Sequence, residues 1–269
     1  LFKCSIEMFA SISAEQNKNE KKTKVVAESD AVMIKNAVIF EDSHFIAINK
    51  PAGLAVQGGT GQKDRHVDSL MDAFRAEKSE KPKLVHRLDK DTSGLIVAAK
   101  NDRAHRGLAQ QFADHTINRA YKAVVWGKPK HKSGIIEGNI GRNPRNRKKM
   151  AIVNRGGKHA ITHYRVEKHI ESNGRLCASY IECRLETGRT HQIRVHLTSI
   201  GNPIIGDPLY GSKDATKLRN KVSANFDEAV NVLNGQALHS YLLGFVHPIN
   251  GKKILFRSAV PSEIAALLK

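Results

Sequence analysis

Short apolar runs divided by polar turns recur from Val38 towards the C-terminus, and this pattern sets the fold class. The first two runs, 38–40 and 45–48, flank the polar turn 41–44 and predict a β-hairpin. Further strands are predicted at 94–99, 120–126, 160–166, 176–185, 238–245 and 254–256. Because hairpins outnumber helical crossovers, the sequence predicts an α+β fold, with a largely antiparallel mixed sheet and flanking helices.

Helical spacing of apolar residues places helices between these strands. Val67, Leu70, Met71 and Phe74 recur at helical spacing after the glycine-rich loop 58–61. A second helix is predicted directly after the strand 94–99, with Asn101 as its N-cap. Three more helices are predicted at 191–200, 226–233 and 261–268.

The first 36 residues differ in composition from the remainder. Between Glu15 and Asp30 the chain is polar and lysine-rich and has no aromatic residue, so it cannot bury enough apolar surface to offset its ordering entropy. We therefore predict a flexible basic leader or linker at 1–36 and one folded domain at 37–269. Because the first residue is leucine, we expect the sequence to be a fragment or a processed chain.

The net charge points to a polyanionic partner. The chain has 44 Lys and Arg against 26 Asp and Glu, a formal net charge of +18 and a pI near 9.9, which favours nucleic acid as the partner. No apolar run is long enough to cross a bilayer. Three cysteines without a CxxC pair argue against a disulfide framework and a thiolate zinc site. We expect a cytoplasmic, monomeric protein.

The segment 86–94, HRLDKDTSG, alternates acidic and basic residues and leads through Gly94 into a buried strand. A carboxylate in such a loop can be held by neighbouring cations, although the local spacing alone is equally typical of a solvated turn. The carboxylate spacing also resembles the start of a calcium loop. Lys100 stands where that loop needs a bidentate glutamate, so a calcium site is rejected.

Two other segments combine unusual residues. In 187–197, TGRTHQIRVHL, polar donors lie near a predicted helix start, which favours an anion site, although a plain amphipathic surface helix has the same pattern. His191 and His196 are five positions apart and no glutamate follows His191, so this is not the zinc-binding His-Glu-x-x-His arrangement. The segment 49–53, NKPAG, by itself indicates only a turn.

Taken in order, these segments resemble the RluA-type pseudouridine synthases from about Val38 onwards. HRLDKDTSG is similar to the catalytic signature of that family and NKPAG to its N-terminal landmark. GRTHQIRVHL with GNPIIGDPLYG (201–211) resembles its basic motif, and LHSYLLGFVHP (238–248) its C-terminal strand. Four matches in the right order are highly specific. Gln57 departs from the family pattern, in which histidine is common at this position.

Within the family the sequence is most similar to RluC/RluD-like enzymes, which modify large-subunit ribosomal RNA. Those enzymes usually carry an S4 RNA-binding domain before the catalytic domain, and we recognise no such domain in this sequence. The resemblance implies isomerisation of uridine to pseudouridine within RNA, a reaction that needs no redox cofactor, nucleotide or metal. Modification of transfer RNA, or a non-catalytic role as an RNA-binding ribosome-assembly factor, are the alternatives.

The resemblance also implies roles for individual residues. Asp89 matches the catalytic aspartate, which could add to the uracil ring, attack the ribose C1′ or abstract the 2′ proton. Tyr121 matches the tyrosine that stacks on the target base, and Arg194 the arginine that stabilises the ionised aspartate. The remaining substrate-binding candidates are Arg87, which would fill the space left by the extruded base, His86, which would shape the loop, and His191, Gln192 and Leu243.

A basic cluster without any acidic residue lies between two predicted strands. We expect it to bind the RNA backbone, because phosphate contacts supply much of the affinity of such proteins. Its members are Arg142, Arg145, Arg147, Lys148 and Lys149. A nuclease would also suit a basic protein, but the order of the motifs disfavours it.

Overall fold

The structure is a computed structural model that describes residues 29–58, 65–75 and 80–269. Most of the predicted leader, residues 1–28, and positions 59–61 of the glycine-rich loop lie outside these ranges. None of the helices in these ranges has the length and apolar character needed to span a membrane.

Eleven strands within the described ranges form one sheet with the path β1-β2-β4-β10-β5-β9-β8-β6-β7, and β3 pairs with β4 and β11 with β10. Among these described strands only β4 and β10 pair in parallel, so the prediction of a largely antiparallel mixed sheet is confirmed. The strands are β1 Val38–Glu41, β2 Phe45–Lys50, β3 Lys83–Leu84, β4 Ser93–Ala99, β5 Asn118–Trp126, β6 Ser133–Arg142, β7 Met150–Ile152, β8 Lys158–Ser172, β9 Arg175–Leu185, β10 Leu238–Val246 and β11 Lys253–Arg257.

The helices flank this sheet. They are α1 at 29–36, α2 Val67–Leu70, which continues as a 3₁₀ turn at Met71–Phe74, α3 Asp102–Ala113, α4 Gln192–Ser199, α5 Lys213–Arg219, α6 Ala224–Asn231 and α7 Ser262–Ala266. Asn101 caps α3 as predicted, because its side chain accepts a hydrogen bond from the backbone N–H of Ala104 at 2.9 Å. Strands β3, β6 and β7 and helix α5 were not predicted.

Helix α1 corrects the predicted domain boundary. Residues 29–36 were assigned to a flexible leader, but they are helical, and Ile34 is fully buried in the main hydrophobic cluster. The Nε–H of Arg65 donates a bifurcated hydrogen bond to both carboxylate oxygens of Asp30. Regular structure therefore begins before Val38, because an apolar side chain in the leader reaches the core.

Both faces of the sheet are buried at its centre. Alternate side chains of β2 and β4 divide between two clusters, with Phe45 and Leu95 in one and Ile46 and Ile96 in the other. Helix α3 covers the first face through Leu108. Every residue of β4 is buried, as the continuous apolar run in the sequence predicted.

Gly94 joins the HRLDKDTSG segment to the centre of the sheet. It has a φ of +114°, and a Cβ at this position would lie 2.3 Å from the carbonyl oxygen of Ser240. Ser240 is its partner in the parallel pairing of β4 and β10. Only glycine permits this close approach, which places the segment carrying Asp89 at the end of the central strands.

Candidate active site

A cavity of about 380 Å³ opens where the 86–92 loop, β5, the C-terminal end of α3 and the 188–194 segment meet. This volume lies in the usual range for small-molecule sites. Seven of the eight catalytic and substrate-binding candidates line it: His86, Arg87, Asp89, Tyr121, His191, Gln192 and Arg194.

Arg194 links two carboxylates at the base of this cavity. Its Nη1 donates to Asp89 Oδ2 at 2.9 Å, while Nε and Nη2 donate to the two carboxylate oxygens of Asp207 at 2.7 and 2.9 Å. The backbone N–H groups of Leu209 and Tyr210 donate to Asp207 Oδ1. The guanidinium is thereby fixed on one side and presents its remaining edge to Asp89.

The surroundings of Arg194 favour its charged form. Burial opposes the charge, but the hydrogen bonds and charges of Asp207 and Asp89 outweigh it and raise the pKa of Arg194 above its ordinary value. The side chain of Asp207 is fully buried, whereas that of Asp89 is 18% exposed. Asp89 is therefore the carboxylate that combines a fixed cation with access to the cavity.

His191 lies on the other side of Asp89. Its backbone has a φ of 56°, in the left-handed region, and its Nε2 lies 4.0 Å from Asp89 Oδ1. Its Nδ1 is 2.7 Å from the hydroxyl of Tyr210, which accepts a hydrogen bond from the backbone N–H of Met150. Burial lowers the pKa of His191, so the ring is neutral at pH 7.

Tyr121 provides an aromatic side chain in the cavity. It lies in β5 between Cys183 of β9 and Ser240 of β10, and only 7% of its surface is exposed. Burial raises the pKa of its hydroxyl, which therefore remains protonated at neutral pH. A neutral aromatic ring at the cavity wall can stack on a planar base.

Three of the predicted substrate-binding residues, all of which line the cavity, differ from one another in their contacts and exposure. The ring of His86 stacks on Phe112, its Nε2 accepts the backbone N–H of Val97, and burial lowers its pKa to about 3, so it is a neutral residue that holds the loop. Arg87 is exposed at the rim of the cavity.

The side-chain amide of Gln192 makes all its hydrogen bonds with other protein groups. Its oxygen accepts from Thr187 Oγ1 and Arg189 N–H, and its nitrogen donates to Ile161 O and Thr162 Oγ1. It thus shapes the 187–192 turn.

The expectation for Leu243 needs correcting. This side chain is 1% exposed and packs in the second cluster with Phe45 and Leu95, on the face of the sheet covered by α3. It does not line the cavity, and Leu238 of the same strand does. Both leucines are apolar residues of one strand, and only their packing distinguishes them.

The predicted RNA-backbone cluster lies at the connection between β6 and β7. No ion pair with a carboxylate involves these five residues within the part of the chain that the structure describes. Met150, which directly follows Lys149, donates its N–H to the Tyr210 hydroxyl and so ties this connection to His191. The end of the connection that carries the cluster is therefore linked, through Tyr210, to a residue that lines the cavity.

Two cations at the site were not found from the sequence. Lys50 in NKPAG is fully buried, and its Nζ donates to the carbonyls of Pro51, Leu54 and Lys90. Arg119 lines the cavity two residues before Tyr121. The turn signal in NKPAG gave no indication that Lys50 is buried. Arg119 could have been found from the sequence, because it lies two positions before Tyr121 and therefore on the same face of β5. Across the described ranges, no group of three or more His, Cys, Asp or Glu side chains is arranged to hold a metal ion.

Comparison with known proteins identifies the family. The model of the RNA pseudouridylate synthase family matches residues 44–199, which include Asp89, Tyr121 and Arg194. The chain belongs to this family. The resemblance found in the sequence motifs is thus confirmed, and the family is one of isomerases that act on RNA.

Relatives of this pseudouridine synthase extend the match over most of the chain. It is 45% identical over 239 residues to ribosomal large subunit pseudouridine synthase D of Zymomonas mobilis, covering 86% of this chain and 71% of the relative. The protein of the same name from Nitrosomonas europaea is 42% identical, with 90% and 66% covered. The chain thus spans about two thirds of the length of these curated relatives.

Human RNA pseudouridylate synthase domain containing 4 has the same fold. Its structure aligns with a TM-score of 0.70 and 23% identity over 91% of this chain and 96% of the human chain.

Proposed function

We propose that this pseudouridine synthase isomerises uridines of large-subunit ribosomal RNA and that Asp89 is its catalytic carboxylate. The observation that carries the proposal is the contact of Asp89 with Arg194 in a cavity that also contains Tyr121. The names of the two bacterial relatives support ribosomal RNA as the substrate.

The reaction rearranges one nucleotide. The bond between uracil N1 and ribose C1′ breaks, the base rotates, a bond between C5 and C1′ forms, and the C5 proton passes to solvent while N1 gains one. Asp89 suits this chemistry because Arg194 holds Oδ2, whereas Oδ1 accepts no hydrogen bond within the described ranges. That free oxygen could add to the uracil ring, attack C1′ or remove the 2′ proton, and each of these uses needs an ionised carboxylate.

The surrounding residues suit an extruded base. Removing a uridine from its stack costs a few kcal/mol, which contacts in the cavity must offset. Tyr121 would stack on the uracil ring, and Arg87 at the rim would occupy the space left in the RNA. His191, neutral and close to Asp89, would help to orient the ribose.

The test measures tritium release from RNA that carries uridine labelled at C5. We expect release from a large-subunit ribosomal RNA transcript without strand cleavage, since only substitution at C5 frees this tritium. Release from transfer RNA transcripts alone would assign the other substrate. Binding of RNA without any release would support the non-catalytic alternative and contradict the proposal.

A further inference from the structure

Arg119 is a cation at the cavity whose guanidinium has no hydrogen-bond or ion-pair partner among the residues that the structure describes. Within the described ranges its guanidinium has neither an ion pair nor a hydrogen bond, and its buried Nε has no partner. The guanidinium of Arg194, in contrast, is balanced by Asp89 and Asp207. Leaving a buried donor without a partner costs about 1–3 kcal/mol, so the position of Arg119 favours a ligand that supplies the acceptor.

The packing around Arg119 fixes its guanidinium over the cavity. Its Cζ lies 5.5 Å from the centre of the Phe112 ring, in a cation–π contact. On the other side, a Cβ added to Gly188 would lie 2.7 Å from Nη1, so the absence of a side chain at Gly188 makes room for the arginine. The side chain is thus held in place without being neutralised.

We propose that Arg119 binds a phosphodiester of the RNA backbone next to the extruded uridine. This inference rests on the proposed function and specifies how the same site holds its substrate. Uracil is uncharged at neutral pH, so the backbone supplies the anion, and the planar guanidinium is suited to two phosphate oxygens.

The spacing along β5 supports this ligand. Arg119 and Tyr121 lie on the same face of the strand, about 7 Å apart along its axis. A base stacked on Tyr121 then has its sugar and phosphate within reach of Arg119. Phosphate contacts of this kind fix the register of a nucleic acid on a protein.

The test compares RNA affinity and tritium release as functions of salt for two charge-matched variants. Arg119→Gln is expected to raise KM for ribosomal RNA about tenfold, to leave kcat within threefold, and to make the salt dependence of log affinity shallower by about 0.7–0.9. Arg175→Gln removes the same charge from an exposed position at the start of β9, about 30 Å along the strand from Leu185 at the cavity, and should behave as the wild type.

Two further variants separate charge from folding. Arg119→Lys keeps the charge and should retain the salt slope while losing part of the affinity, because an ammonium does not match two oxygens. Gly188→Ala keeps the arginine but displaces it, and should raise KM several-fold. If Arg119→Gln unfolds, Gly188→Ala gives the decisive comparison.

Unchanged KM and salt slope in Arg119→Gln, or in Gly188→Ala where it decides, would overturn the inference. A loss of kcat of more than 100-fold with unchanged RNA affinity would also overturn it, by assigning Arg119 to the reacting base. Absence of tritium release by the wild type would contradict the proposed function instead, so the two failures are distinguishable.

Discussion

The buried ammonium of Lys50 donates a hydrogen bond at 2.9 Å to the backbone carbonyl of Lys90, the residue directly after Asp89. Its two other donors go to the carbonyls of Pro51 and Leu54. One side chain thus connects the NKPAG turn to the loop that carries the proposed catalytic carboxylate. Burial, opposed by the nearby charges of Asp91 and Asp89, lowers the pKa of Lys50 to about 7.

The lowered pKa of Lys50 predicts a pH dependence of stability. Between about pH 7 and the ordinary lysine value of 10.5, the unfolded chain binds a proton that the folded chain does not, so the contribution of Lys50 to the free energy of unfolding rises with pH by at most about 1.4 kcal/mol per unit. Below pH 7 this contribution is constant. Below pH 7, where the ammonium donates to three carbonyls, Lys50→Met should be less stable than the wild type by about 3 kcal/mol because those carbonyls lose their donor.

Urea unfolding of the wild type and Lys50→Met from pH 6 to pH 10 measures both effects. The difference in unfolding free energy between the two proteins should be flat below pH 7 and should increase in favour of the wild type above it. A difference independent of pH throughout would show that Lys50 titrates normally. Lys130→Met, at an exposed site, controls for loss of a lysine.

Asp89→Asn should abolish tritium release while RNA binding changes less than threefold, because the amide keeps the shape of the side chain and loses the nucleophilic charge. Asp91→Asn is the matched control: it lies two residues away in the same loop and does not line the cavity. It should keep more than a third of the wild-type turnover. Equal losses in both variants would indicate damage to the loop rather than loss of a catalytic group.

Asp207→Asn should lower kcat about 10- to 100-fold with little change in KM. Asp207 is too deeply buried to reach substrate, so it acts as a positioning residue that fixes Arg194 against Asp89. Steady-state tritium release gives both constants. Asp227→Asn removes a comparable contact, with Arg219, from a half-exposed pair and should leave both constants unchanged. An increase in KM alone would assign Asp207 to RNA binding.

Neutralising Arg145, Arg147 and Lys148 together to glutamine should weaken RNA binding. These side chains are exposed, and each cation that meets a phosphate releases a counterion on binding. The slope of log affinity against log salt should become shallower by up to about 2. Filter binding or fluorescence anisotropy at several salt concentrations measures this slope.

The control for that triple variant is the exposed lysine group Lys128, Lys130 and Lys132, which follows β5. Strand β5 runs away from the cavity for about 23 Å between Arg119 and Trp126. Substitution of these lysines by glutamine should leave the slope within about 0.5 of the wild type. Identical slopes for both triple variants would remove the β6–β7 connection from the RNA interface.

Gly94→Ala should destabilise the fold by more than about 3 kcal/mol, because the new Cβ meets the backbone of Ser240 and the φ of +114° is unfavourable for alanine. Gly211→Ala, where a Cβ meets nothing within 4 Å, should change stability by less than about 1 kcal/mol. Thermal unfolding of both variants measures these changes in stability. A stable Gly94→Ala protein would mean that the β4–β10 junction relaxes easily.

The sequence by itself determined the strand pattern, the capped helix after β4, the family motifs and the residues in them. These features depend on neighbours in the chain. Side chains alternate between the two faces of a strand and return to the same face of a helix every three or four residues, and a polar side chain caps a helix by accepting from its free backbone N–H groups. Asp89 and Arg194 were paired from the sequence only because each stands in a recognisable motif, although 105 positions separate them.

Tertiary structure alone decided the rest. That Leu238 rather than Leu243 lines the cavity, that Asp207 contacts Arg194, and that Lys50 is buried against the loop carrying Asp89 all depend on which elements the sheet places side by side. Residues far apart in sequence meet through the parallel pairing of β4 with β10, which local periodicity does not encode. Burial and charge compensation follow from those contacts, and so does the lack of a partner for the buried Nε of Arg119 within the described ranges.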